Sequence, residues 1–247
     1  MNPDTDKPPP GAGGMSAFWR SHALWPALLF GAAFLAIWAT RVDLRLADAF
    51  FYRGAIHDWL GAGTWWAVDL IHTGGARLVR LIGIGALLTF LLGFKLPRLR
   101  RWRVDAAYLT LALILVPSVV GALQIVTNVD CPRDLDMYGG DRPYVSLLGD
   151  RPDALPRAKC FPGSHASSGF ALVSVYFLLR DRRPRAARRA LAGAVLLGMV
   201  FSFGQQARGA HFLSHDLASA AIAWFLSLAL WQIMLRRRIS ARGPEGD

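Results

Sequence analysis

The sequence predicts an all-α fold, an integral membrane bundle of six helices whose polar chemistry collects at one end. Three observations predict it. Hydrophobic residues make up 53% of the 247, and the mean hydropathy is +0.31, too apolar for a soluble domain of this length. The apolar residues fall in blocks of roughly 17–25, the length that crosses a bilayer as a helix. Basic clusters at 95–103, 180–189 and 236–242 abut the ends of these blocks, as cytoplasmic loops do. The net charge of +11 alone would admit nucleic acid as a partner. Its placement at span ends points instead to anionic lipid headgroups. Neither nucleic acid nor a protein partner is expected.

Taken in order, residues 1–20 read as a disordered cytoplasmic tail, because 1–14 is rich in Pro and Gly and lacks core-forming side chains. One membrane domain, 21–238, and a short cytoplasmic tail, 239–247, complete the chain. A cleaved signal peptide is not expected, since the first apolar run starts late and has no small-residue cleavage site. The spans fall at 23–40, 76–94, 104–126, 164–179, 190–207 and 215–235. Residues 42–71 mix Leu44, Phe50, Phe51, Trp59, Trp65 and Trp66 with Asp43, Asp48 and Asp58. This composition suits one or two helices lying in the interface, either as a guide for lipid or as an aromatic-anchored connector. Gly83, Gly85 and Ala86 permit close helix contact in the second span, and Pro117 with Gly121 predicts a kink in the third. Arg77 and Arg80 sit where they would touch a headgroup or anchor the helix.

Placing the basic clusters in the cytoplasm puts both termini there. Segments 41–75, 127–163 and 208–214 then share the outer side. Cys131 and Cys160 lie in the same outer loop, where an oxidising compartment would pair them and tie its two ends together. Two free thiols are the alternative.

Two histidine motifs stand on that same face. One is Cys160-Phe161-Pro162-Gly163-Ser164-His165, the other Arg208-Gly209-Ala210-His211-Phe212-Leu213-Ser214-His215-Asp216. Imidazole titrates near neutral pH, so such motifs suit proton transfer and attack on phosphorus. His22, His57 and His72 match no motif and read as packing or surface residues.

Pro162-Gly163-Ser164-His165 resembles the Pro-Ser-Gly-His motif of the type 2 phosphatidic acid phosphatase superfamily, with the small residues transposed. The segment around His211 resembles that family's third motif, Ser-Arg-x5-His-x3-Asp. The pattern looks like a divergent bacterial branch that includes lipid A phosphatase-like proteins. The resemblance implies a phosphatase acting on a phosphorylated membrane lipid, without metal or other cofactor. It implies a bacterial inner-membrane location and a site facing the periplasm. His211 is then the nucleophile and His165 the proton donor to the leaving oxygen.

Departures from the pattern fall on its charges. Where the family's first motif has Lys-x6-Arg-Pro, this chain has Gln124-x6-Cys131-Pro132. Arg133, Arg142 and Lys159 are candidates to supply the missing positive charge. The third-motif Arg position holds Gln205, with Arg208 nearly one helical turn before His211. The Asp position holds His215, with Asp216 one later. Asp216, and after it His215, is the expected acceptor that orients the His211 ring. Ser164 and the first amides of the fourth span are expected to help bind phosphate.

Other readings remain open from sequence. Transfer of the phosphoryl group to a second lipid uses the same residues. His211 and His215 at i, i+4, with His165, resemble a zinc ligand set, but Phe212-Leu213-Ser214 supplies no Glu of the His-Glu-x-x-His kind. A non-catalytic lipid-binding or transport bundle would explain the altered first motif.

Overall fold

A computed structural model describes residues 12–147 and 149–236, with side chains from residue 16 onward. Among these residues the chain is mostly helical, with almost no strand. Six long helices organise it: α1 (Ser16–Thr40), α2 (Trp66–Leu92), α3 (Arg103–Thr127), α4 (Ser164–Leu179), α5 (Pro184–Ala207) and α6 (Leu213–Met234). Five of them are long and apolar enough to cross a membrane, and α4 is a shorter apolar helix. The lipid-facing surface is broad: Trp25, Leu29, Trp38, Leu81, Ile84, Leu196 and Ile233 are all exposed. So large an apolar belt belongs in hydrocarbon and not in water.

The helical ends follow local chemistry. Pro184 opens α5, where its missing N–H costs nothing. Asn128 closes α3 in the left-handed conformation that Asn tolerates best after Gly. The Asp43 carboxylate reaches across from another segment to accept the Ser214 N–H at 2.9 Å, capping the first turn of α6. Pro117 sits inside one continuous α3. Phe170, Phe201, Val116 and Val173 fill the centre, where α3, α4, α5 and α6 meet. Gly198 and Gly169 let α4 and α5 approach there, since a Cβ on Gly198 would fall 2.2 Å from the Phe170 ring. α1 lies at the periphery, packed mainly on α6.

Two sequence expectations change. Helix begins at Ala12, inside the stretch read as a tail, and α1 contains a π-helical turn at Arg20–Leu24. The reason is visible at His22, whose Nε2 lies 2.7 Å from the Tyr176 hydroxyl, and at Phe18, whose ring stacks on His22. These contacts hold the first turns against α4. The rest of the N-terminal tail and the 239–247 tail lie outside the described residues.

The segment 42–64 forms a cap over one end of the bundle. Val42–Leu46 and Ala47–Phe51 are short helical turns, and β1 (Tyr52–Arg53) pairs antiparallel with β2 (Asp58–Trp59). Its inner face joins Leu135, Tyr138, Ala207 and Phe212 in one hydrophobic cluster through Ala47, Phe51 and Trp59. The Tyr138 hydroxyl donates to Asp48 at 2.9 Å, and the Gly61 N–H donates to the Ala207 carbonyl at 2.7 Å. All three segments expected on one side therefore pack against each other. Gly209 is required here: its φ is +63°, and Trp59 covers it so closely that a Cβ would fall 2.4 Å from the indole.

Candidate active site

The loop between α3 and α4 returns to the bundle beside its own start. The Ala158 N–H donates to Asn128 Oδ1 at 2.9 Å and the Cys160 N–H to the Val129 carbonyl at 3.1 Å. Cys131 and Cys160 are disulfide-bonded. Three links thus fix the backbone at Cys160. Its carbonyl accepts a hydrogen bond from His211 Nδ1 at 2.9 Å. A carbonyl can only accept, so Nδ1 carries the proton and the lone pair of neutral His211 sits on Nε2. This corrects the expectation for the orienting group, which is a backbone carbonyl and neither Asp216 nor His215.

Asp216 is buried and accepts from Gln206 Nε2 at 2.9 Å. Its Oδ1 lies 2.6 Å from where a Cβ on Gly163 would stand, and His211 Cδ2 would be 3.6 Å from the same point. A side chain at position 163 would therefore press on the buried Asp216 carboxyl. Gly163 is also fixed by its N–H to the His215 carbonyl at 3.0 Å and by the Ser219 hydroxyl on its own carbonyl at 2.8 Å. We expect Gly163→Ala to cost about 1–3 kcal/mol through overpacking and to lower turnover, because the added methyl group must displace the buried Asp216 side chain beside His211. Thermal denaturation in detergent checks this, and an unchanged midpoint would contradict it. His215 is equally buried, its ring edge-on to Phe161 and 5.7 Å from the His211 ring.

His165 lies on the first turn of α4. Its Nε2 is 3.3 Å from the Ile71 carbonyl, and its ring stacks on Phe201 at 4.5 Å. The Nε2 proton therefore points at backbone, and Nδ1 is the atom left to exchange a proton. Ser164 is exposed beside it.

The charges separate into two groups. Arg208 donates to Gln205 Oε1 at 3.3 Å. Arg133 is placed beside it, because its N–H donates to the Gly209 carbonyl at 2.9 Å. Burial lowers the Arg208 pKa, and the neighbouring Arg133 charge adds to the shift; Arg133 itself is half exposed and lies 3.9 Å from the Asp134 carboxylate. Burial also pushes His211 down to about 4, with the charges of Arg133, Arg208 and His72 acting in the same direction. Arg142 does not join this group. It pairs with Asp130 at 2.6 Å, and Arg151 binds the same carboxylate at 2.8 Å, so its charge is spent within the loop. Lys159 is exposed, with no partner among the described residues. Gln124, at the place of the first-motif lysine, is buried and donates to the Pro162 carbonyl at 2.7 Å.

Sequence reading missed two participants. The His72 ring lies 4.5 Å from that of His165, and Gln205 Nε2 is 2.8 Å from His72 Nδ1. Both histidines, with Ser164, Ser168 and Arg80, line the polar end of a cavity of about 460 Å³. Val79, Gly83, Ile84, Leu87, Leu113 and Ile114 of α2 and α3 form its apolar wall. No three His, Cys, Asp or Glu side chains converge as metal ligands among the described residues.

His165 and His211, with the loops that carry them, fall within residues 105–239, which match the family model described as the PAP2 superfamily. The chain belongs to the PAP2 superfamily. PAP2 membership makes it a lipid phosphatase at the level of the family, and its apolar helices make it a multi-pass membrane protein. The crystal structure of the first transmembrane PAP2 type phosphatidylglycerolphosphate phosphatase from Bacillus subtilis is similar at 15% identity, with a TM-score of 0.48, over 87% of this chain and 98% of that one. No curated protein sequence matches the chain.

Proposed function

We propose that this PAP2 protein removes a phosphate from a phospholipid, lipid A or an isoprenyl pyrophosphate in the outer leaflet of the bacterial inner membrane, through a phosphohistidine on His211 and without a metal. The observation that carries this reading is the hydrogen bond from His211 Nδ1 to the Cys160 carbonyl. It fixes the tautomer whose Nε2 lone pair is free to attack phosphorus. Arg208 and Arg133 supply the positive charge that gathers the phosphate oxygens. Positive-inside placement of the basic clusters supports six crossings, cytoplasmic termini and an outward-facing site.

The reaction then runs in two steps. Nε2 of His211 bonds to phosphorus while the bond from phosphorus to the lipid oxygen breaks, and protonated His165 gives its Nδ1 proton to that oxygen. Water next attacks the phosphohistidine. His165 takes the water proton, the N–P bond breaks, and inorganic phosphate leaves with His211 restored. The Cys160 carbonyl holds Nδ1–H throughout and stabilises the charge that develops on the ring.

Phosphate release from lipid A, phosphatidylglycerol phosphate, phosphatidic acid and undecaprenyl pyrophosphate, measured in micelles with EDTA present, tests this reading. Release is expected to survive EDTA. A group with pKa lowered to about 4 is neutral, and so nucleophilic, at every pH above that value. Protonation of His211 should therefore cut the first step only near and below about pH 4, and not near the ordinary 6.5 of histidine. Loss of activity on chelation, or an acid limb near 6.5 in the rate of phosphoenzyme formation, would contradict the mechanism.

A further inference from the structure

We infer that His72 is a third histidine of the phosphate site, donating its Nε2–H to a phosphate oxygen beside Arg208. This inference rests on the phosphatase reading of the same site. Arginine only donates, so the Gln205 atom that meets Arg208 is Oε1. The other end of the same amide is therefore Nε2, an obligatory donor, and it meets His72 Nδ1 at 2.8 Å. His72 Nδ1 must accept. The neutral ring then carries its proton on Nε2, and that donor has no partner among the described residues. One amide thus fixes both the tautomer of His72 and the direction of Arg208.

The backbone places the ring where this donor is useful. Trp66–Gly74 is a π-helical opening of α2, a distortion that recurs at functional sites. It presents the Ile71 carbonyl to His165 and sets the adjacent His72 ring 4.5 Å from the same imidazole. His72, His165 and Ser164 share the polar end of the cavity. Its apolar remainder runs between α2 and α3, the direction an acyl chain would take from a headgroup bound there. The side chains at the places of the first-motif cations cannot replace His72: Gln124 is spent on the Pro162 carbonyl, and Cys131 is in the disulfide.

The probe is inorganic phosphate, with affinity read from its stabilisation of the purified full-length protein in detergent. His72→Phe keeps a flat ring against His165 and Phe201 but has no donor. His72→Gln keeps a donor but not the ring. Phosphate affinity is expected to fall about tenfold or more in His72→Phe, the loss of one hydrogen bond to a charged group, and to stay close to wild type in His72→Gln. Where His72→Phe does not fold, His72→Ala takes its place with the same expectation. Undiminished affinity in the ring-only variant overturns the inference, as does an equal loss in the Gln variant or a wild type that binds no phosphate. A wild type that binds phosphate through His72 yet releases none from any lipid would leave this inference standing and remove the phosphatase reading.

Discussion

His211→Asn is expected to lower kcat by on the order of 10⁴-fold or more while the protein remains folded. The loss is large because the substitution removes the atom that bonds to phosphorus, while His165 Nδ1 is committed to carrying the proton of the leaving oxygen. His165 Nε2 is turned toward the Ile71 carbonyl, and the His215 ring is packed edge-on among Phe161, Phe212 and His211. Asparagine is the chosen replacement because its amide can still donate to the Cys160 carbonyl. Alanine would leave that buried carbonyl unpaired, at a cost of about 1–3 kcal/mol, and would mix a folding defect with a catalytic one. Turnover and thermal midpoint measured on the same preparation separate the two. Activity within tenfold of wild type would remove His211 from the chemistry.

The second large effect is expected from the disulfide. Cys160 contributes the carbonyl that aims His211, and the bond to Cys131 is one of three links that hold it. The Cys131→Ser/Cys160→Ser double variant, or wild type under reductant, should lose about 3 kcal/mol of stability, since the bond closes a loop with a sequence separation of 29. Its kcat/KM should also fall about 10²-fold even where the protein is still folded, because a nucleophile misplaced by about an ångström loses that much. Two hydrogen bonds, from Ala158 N–H and Cys160 N–H, remain to limit the damage. Equal activity in the oxidised and reduced protein, with thiol alkylation proving the reduction, would show that the loop holds the carbonyl without the bond.

The sequence made the bundle and the histidine pair legible for a simple reason. Apolar block length and basic flanks are set by the membrane itself, and His165 and His211 sit in contiguous motifs at block ends. What it hid was long-range or belonged to the backbone. The acceptor for His211 is a carbonyl, and every residue has one, so side-chain pattern alone points to Asp216. That carboxylate is turned instead toward Gln206, ten residues before it on α5. Arg142 looked free because its partner Asp130 lies across a folded loop. His72 lies in the outer segment 41–75, ahead of the second span at 76–94, and outside any motif. Only the π-helical opening of α2 and the distant Gln205 bring it to the site. The substitution of Gln205 for the family's arginine was visible, and it was the one available signal that something else had to be held there.

The purified protein is mixed with a lipid substrate carrying ³²P in its terminal phosphate, quenched within milliseconds in alkali, where a phosphohistidine survives, and digested for mass spectrometry. A label is expected on the peptide containing His211, formed with EDTA present and absent from His211→Asn. Phosphate released at the full rate with no label on His211 at any time point would show direct attack by water and contradict the account.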